Sequence, residues 1–434
     1  MVINAKMTKS TVIYESAEKR YRIAYVIEAA CENLVYAFGS GVYIARIASE
    51  IGISDSLTGV LSSLVSLGFA FQITSVFLKK GGRVKNSVVT LHLLNEVLFV
   101  LMYLLPIFSI PRGAKALLFG ALLLLGHAAM NASIPSKTAW MMSFVTPDKR
   151  GKFTARKHIV LLISGTAVTY VAGVLFDFFD SRGNVTAAYV AIGVGMLLIA
   201  ITHTAALVYV KEHAESEDAP RQCGELKSVL SDKRLMRIIF LFVLLSIAQN
   251  ATIPFLGSYQ ISELGFSMTL ISVIAAVASV CRMLAEAPMG RYADRSSFSS
   301  MMRVSVLIYL IAMVAIVFTN TSSGKLLFPI YAILQNIASA GVTSCGINLI
   351  YEHSSDKNRT AAMALRGTLS GAIGFLTTLL ISPLVDLIQK SGLSLFGVPV
   401  YAQQILALIS AAIFGVMLIV LIRSGSKASE NLGK

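Results

Sequence analysis

The chain has 434 residues, 55% hydrophobic and 14% charged, against about 25% charged in a soluble domain, and this excludes a water-soluble globule. Its 37 Lys and Arg against 23 Asp and Glu give a net charge of +14, which on a soluble protein would point to nucleic acid; here the placement of the bases reads as membrane topology. The four cysteines, Cys31, Cys223, Cys281 and Cys345, have no short-spaced pair, so neither a disulfide framework nor a thiolate metal site is signalled.

The segment through Arg22 is polar and charged, unlike a cleavable signal peptide. Beyond it the chain divides into twelve apolar stretches, each about the ~20 residues that cross a ~30 Å hydrocarbon core. They are too long and continuous for barrel strands, and in lipid each must satisfy its own backbone, so they are predicted as helices of an all-α membrane protein.

Span one, at 22–47, carries Glu28 and Glu32 one turn apart on a face that Tyr25 and Tyr36 continue. At 1.5 Å per residue from Arg22, Glu28 lies ~9 Å and Glu32 ~15 Å into the core. Two carboxylates so placed suit a proton carrier, a structural pair neutralised by bases elsewhere, or a binding site for a cationic solute. Span two is at 57–78. Span three, at 87–108, holds His92 and Glu96 on one face, read as structural. Span four, at 113–136, places His127 and Asn131 four residues apart as candidate cavity groups. Spans five and six follow at 158–177 and 186–210, with Gly165 and Gly173 available for close approach in span five.

A polar stretch mixing acids and bases then reads as a linker at 211–235, separating a half at 1–210 from a half at 236–434. Span seven, at 236–258, contributes Gln249 and Asn250, with Pro254 placed to bend it where Gly39-Ser40-Gly41 would bend span one. Span eight, at 268–289, holds Arg282 and Glu286; the arginine is placed to pair with Glu286, with Glu28, or with a substrate carboxylate. Span nine is at 302–319. Span ten, at 324–349, contributes Gln335 and Asn336. Span eleven, at 363–387, has Gly367, Gly371 and Gly374, and span twelve is at 400–422. With the N-terminus inside, thirty of the 37 Lys and Arg fall on the terminal side and six on the other, with Arg282 inside a span. That bias predicts cytoplasmic termini in the cell (inner or plasma) membrane.

The halves repeat one another. Ser49-Glu50-Ile51-Gly52-Ile53-Ser54 after span one matches Ser262-Glu263-Leu264-Gly265-Phe266-Ser267 after span seven. Gly82-Arg83-Val84-Lys85-Asn86 faces Gly290-Arg291-Tyr292-Ala293-Asp294, and Asp148-Lys149-Arg150 faces Asp356-Lys357-Asn358-Arg359. Three matches in one order point to duplication.

With six plus six spans, a polar central loop and basic loops after spans two and eight, the whole chain resembles the major facilitator superfamily. Its most specific feature is Gly290-Arg291-Tyr292-Ala293-Asp294-Arg295, similar to the family's loop motif, whose acid is replaced by Asn86 in the first half. The resemblance implies a cavity lined by spans 1, 4, 7 and 10, and alternating access by rocking of the halves. The candidate residues are therefore Glu28 and Glu32 for proton coupling, and Tyr36, His127, Asn131, Gln249, Asn250, Arg282, Gln335 and Asn336 for substrate. Glu286, Gly290, Arg291, Asp294 and Arg295 are the candidates for gating. The function expected is proton-coupled secondary transport of a small polar or amphipathic solute. The alternatives are a carboxylate-solute facilitator or uptake carrier using Arg282, and a multidrug efflux antiporter. The expectation is a monomer in a lipid bilayer, with no nucleic acid, cofactor or metal. No His-Glu-x-x-His, Gly-x-Ser-x-Gly or Walker loop argues for an enzyme.

Overall fold

The computed structural model describes residues 9–77, 84–145, 150–212, 223–355, 358–395 and 398–432. Span one is a helix at Lys9–Phe38 continued by Gly41–Ile51, and span two runs over Asp55–Ala70 into a tighter turn at Phe71–Phe77. Spans three to six are Lys85–Leu104, Arg112–Met142, Arg150–Asp180 and Val185–Tyr209. A short helix at Cys223–Ser231 lies in the expected linker and precedes span seven, which starts as Lys233–Asn250 and reaches Glu263 through broken turns. Spans eight to twelve are Met268–Arg295, Phe298–Val317, Gly324–His353, Arg359–Ser391 and Ala402–Leu432. Among the described residues eleven helices are long and apolar enough to cross a membrane. Span one, interrupted at Ser40 and carrying Glu28 and Glu32, completes twelve.

Both expected bends are present and meet each other. Gly41 adopts φ +56°, which a side chain would resist, and restarts the helix after the break at Ser40. In span seven Pro254 supplies no N–H and sits in a tight turn at Ile253–Phe255, with a π-turn at Tyr259–Glu263 beyond it. A Cβ on Gly257 would stand 3.0 Å from Ala45 Cβ and 3.1 Å from the Gly41 carbonyl, so the two bends pack backbone to backbone. The repeated Ser-Glu-x-Gly-x-Ser segments do the same work twice. Gly52 and Gly265 end their helices at φ +76° and +63°, and Ser54 and Ser267 accept from Leu57 N and Leu270 N to start the next.

Within the first half, span three packs on spans four and six, and span one on spans five and six. In the second half span nine packs on spans ten and twelve. The halves meet where span two lies along span eleven and span five along span eight. Leu380, 80% exposed on span eleven, and Leu117 on span four present apolar surface outward, as a helix facing lipid requires.

One boundary is corrected. Span four continues through Met142, past the predicted end at 136, so Lys137 lies inside the helix rather than in a loop on the terminal side. Arg366, already inside the expected span at 363–387, sits in the second turn of span eleven.

Candidate functional site

Three i,i+4 pairs from three helices converge inside the first half: Glu28 and Glu32 of span one, His92 and Glu96 of span three, and Ser133 and Lys137 of span four. Lys137 Nζ donates to Glu28 Oε1 at 2.5 Å and also to Glu32 Oε2. His203 of span six closes the cluster, with Nε2 3.4 Å from Glu28 Oε1 and Nδ1 against Glu96 Oε1. Ser133 Oγ lies 3.0 Å from His92 Nε2, and the His92 and His203 rings are 4.9 Å apart. Glu28, His92, Glu96, Lys137 and His203 are all buried, whereas the Glu32 carboxylate is 21% exposed. The chain of groups thus runs from a partly open end at Glu32 through Lys137, Glu28 and His203 to a closed end at Glu96.

Of the alternatives left open for span one, the base from elsewhere is present: Lys137 bridges Glu28 and Glu32. The cluster also draws in His92 and Glu96, the span-three pair read as structural. Within the hydrogen-bonded cluster, three carboxylates face two bases, Lys137 and His203; a third base, Lys157 of span five, stands beside it and donates to Tyr25 Oη at 3.3 Å. Glu28 Oε2 and Glu96 Oε2 have no hydrogen-bond partner among the described residues.

His127 and Asn131 do not face the cavity as expected. Both are fully buried: the face they share is covered by spans one, two and three. His127 Nε2 lies 2.7 Å from the Gly39 carbonyl at the bend of span one, and its ring stands edge-on to Tyr36 and Phe99. Asn131 donates to the His127 carbonyl and accepts from Gln72 Nε2 at 3.1 Å. Tyr36 is half-buried beside them.

Two cavities open between the halves. One, of about 420 Å³, is lined by Asn33, His158, Thr169, Arg282 and Glu286 among others. There Arg282 Nε is 3.7 Å from Glu286 Oε1 of its own helix, and Nη2 donates weakly to Thr343 Oγ1 at 3.4 Å; of the three predicted pairings, the intrahelical one is formed. The other cavity, of about 320 Å³, is lined by Ser66, Gln72, Ser246, Gln249, Asn250 and Arg366 among others. Ser66 Oγ donates to Asn250 Oδ1 at 2.9 Å across the halves. Gln249 and Asn250, adjacent in the last turn of the helix, both line this wall. Gln335 and Asn336 are half-buried and are not among the residues lining either cavity; Asn336 donates to its own Ala332 carbonyl.

At the end away from the termini the halves are closed. Asp177 of span five accepts from Met268 N and Thr269 N at 2.9 and 2.8 Å, capping span eight from across the interface. Ser382 donates to the Ser56 carbonyl and Gln389 to Asp55 Oδ2. Toward the termini Arg291 and Arg295 are exposed and Gly290 half-buried. The Asp294 side chain, Gly82-Arg83 of the first-half loop, and the Asp148-Lys149 and Asp356-Lys357 pairs lie outside the described residues.

Sequence reading missed Lys137, His203, Arg366, Gln72 and Asp177. The first was detectable, because Trp140-Met141-Met142 prolongs the apolar run beyond it. A lone histidine in the otherwise apolar span six was the signal for His203.

A family model described as Major Facilitator Superfamily matches residues 29–285 and 238–434. No curated protein matches the sequence. Among solved structures, a nucleoside transporter, NupG, is similar with a TM-score of 0.68 at 12% identity, covering 94% of this chain and 98% of its own. A D-xylose-proton symporter gives 0.71 at 14%, covering 92% and 97%. The xylose transporter XylE from E. coli, in a partially occluded inward open conformation, gives 0.64 at 11%, covering 90% and 96%.

Proposed function

Since the chain belongs to the major facilitator superfamily and is a multi-pass membrane transporter rather than an enzyme, we propose that it carries a small polar or amphipathic solute by proton-coupled alternating access. The observation that carries this reading is the chain Glu32–Lys137–Glu28–His203–Glu96, enclosed except at the partly exposed Glu32. A charge in the hydrocarbon is costly, so groups kept there are paired or take part in transport. Lys137 pairs two carboxylates and His203 joins a third, so within the hydrogen-bonded cluster the acids outnumber the bases by one, and a proton can cancel the difference. That cancellation is what a half-molecule needs before it reorients around its cavity. The oxygens of Glu28 and Glu96 without hydrogen-bond partners are places where the proton can reside, and Glu32 is its entry.

The protein works, in this reading, as a monomer in the cell membrane with both termini in the cytoplasm, as the basic-residue bias supports. Gly290, Arg291, Asp294 and Arg295, with Glu286 above them, act in the inner gate. The Lys137 bridge also supports a second reading, a facilitator whose carboxylates only hold helices together. Proteoliposome flux across solutes of different charge, with and without an imposed pH gradient, separates the two: gradient-driven accumulation supports coupling, and equilibration unaffected by the gradient supports the facilitator.

A further inference from the structure

Arg366 lies in the second turn of span eleven, on the wall of the 320 Å³ cavity between the halves. Its guanidinium carbon sits 5.0 Å over the Phe242 ring of span seven. It also lies against span ten at Gly346, where any Cβ would overlap Nη1. The backbone of span ten and the ring of span seven thus hold the group from two sides. Arg46 is matched with Asp180, Lys137 with Glu28 and Glu32, and Arg282 with Glu286, while Lys157 of span five donates to Tyr25 Oη and Arg303 of span nine to Ser300 Oγ. Among the described residues Arg366 has neither a carboxylate partner nor a hydrogen-bond acceptor. A stacked guanidinium keeps its N–H donors for another ligand. An intramembrane cation without a partner is costly and by default marks function.

We propose that Arg366 is the anion subsite of the transport cavity and that the transported solute carries a carboxylate, gripped through two guanidinium N–H groups. One guanidinium balances one negative charge, and the other polar side chains on this wall, Ser66, Gln72, Ser246, Gln249, Asn250 and Ser370, are neutral amides and hydroxyls. A monoanionic carboxylate therefore fits better than a phosphate dianion. The volume is at the small end of ligand sites. Ser66 and Gln72 come from the first half and Arg366 from the second, so a solute bound here touches both bodies whose rocking it must influence. The role assigned to Arg282 by sequence thereby passes to Arg366. The inference rests on this cavity being the transport route and is independent of proton coupling.

The test is binding to the purified full-length chain in detergent, without any gradient, read as a shift of the thermal unfolding midpoint. The probes are acetate, lactate, benzoate, succinate, alanine and phenylalanine, each beside its amide, with inorganic phosphate as a separate arm. At least one carboxylate should raise the midpoint while its amide does not. Arg366→Gln should weaken that binding roughly 100-fold and Arg366→Lys about 10-fold, because a point charge replaces a fork. Without ligand, Arg366→Gln should unfold at or above the wild-type midpoint. Gly346→Ala, which crowds the guanidinium, should weaken binding with the fold intact. The inference is overturned if no carboxylate shifts the wild type, if amides or phosphate alone do so, if Arg366→Gln binds as tightly as wild type, or if that variant unfolds at a lower temperature, which marks a structural arginine. Carboxylate binding without gradient-driven accumulation would sink proton coupling and leave this site standing.

Discussion

Lys137 Nζ stands 2.5 Å from Glu28 Oε1, with side-chain exposures of 3% and 0%. A charge pair so enclosed is worth little over an apolar pair but is expensive to halve, because the survivor keeps its charge without a partner. Lys137→Met should therefore cost about 3–5 kcal/mol, and adding Glu28→Gln should restore most of it, since Glu32 retains access to water. Thermal unfolding of the purified variants reads both; a single Lys137→Met variant as stable as wild type would remove the pair from the account.

Glu32 is the member of the cluster whose carboxylate is partly exposed. Glu32→Gln imitates the protonated side chain permanently, so accumulation driven by a pH gradient should vanish while solute-for-solute exchange persists. Joint loss of exchange and binding would assign Glu32 to a cationic part of the solute. Loss of folded yield alone would make it structural. Wild-type accumulation with unchanged pH dependence would transfer the proton to Glu28 or Glu96.

The Asp177 carboxylate caps the span-eight helix across the interface, receiving Met268 N and Thr269 N. Asp177→Asn keeps one acceptor and removes the charge at the helix N-terminus. It should weaken closure by roughly 1 kcal/mol, about a five-fold shift toward an opened outer end. Spin labels at Ser181 and Ser262, both exposed and on opposite halves, should show a larger long-distance population. An unchanged distribution would mean that Asp177 does not hold the gate.

Orientation rests on the asymmetry of Lys and Arg. Single cysteines at Asn184 and Ser322, both exposed between spans on the side away from the termini, should react with an impermeant maleimide applied outside. A cysteine at Ser231 should react only after the membrane is opened. Labelling of Ser231 from outside would reverse the topology.

Much of this protein was legible from its residues because lipid removes alternatives. Without water to satisfy backbone groups, each apolar run of sufficient length must be a helix, and the basic loops orient the set. Local rules went further: the two Ser-Glu-x-Gly-x-Ser segments predicted a repeat, and each forms a left-handed glycine stop followed by a serine cap. Gly39-Ser40-Gly41 and Pro254 marked the two bends.

Partnership was decided only by the tertiary structure. Helical spacing gives the shared face of Glu28 and Glu32, but it does not say which neighbouring helix meets that face; Lys137 and His203 come from residues more than a hundred positions away. Hydropathy misplaced Lys137 because a lysine near a span end resembles a loop boundary, and burying it is tolerable only when two carboxylates wait on another helix. The same spacing suggested that His127 and Asn131 face the cavity. Packing against Phe99 and the bend of span one turned that face inward, since burial on a helix surface is set by what packs against it. Arg366 reached the cavity for the converse reason: Phe242 and Gly346 make room for a guanidinium beside them without supplying its counter-charge.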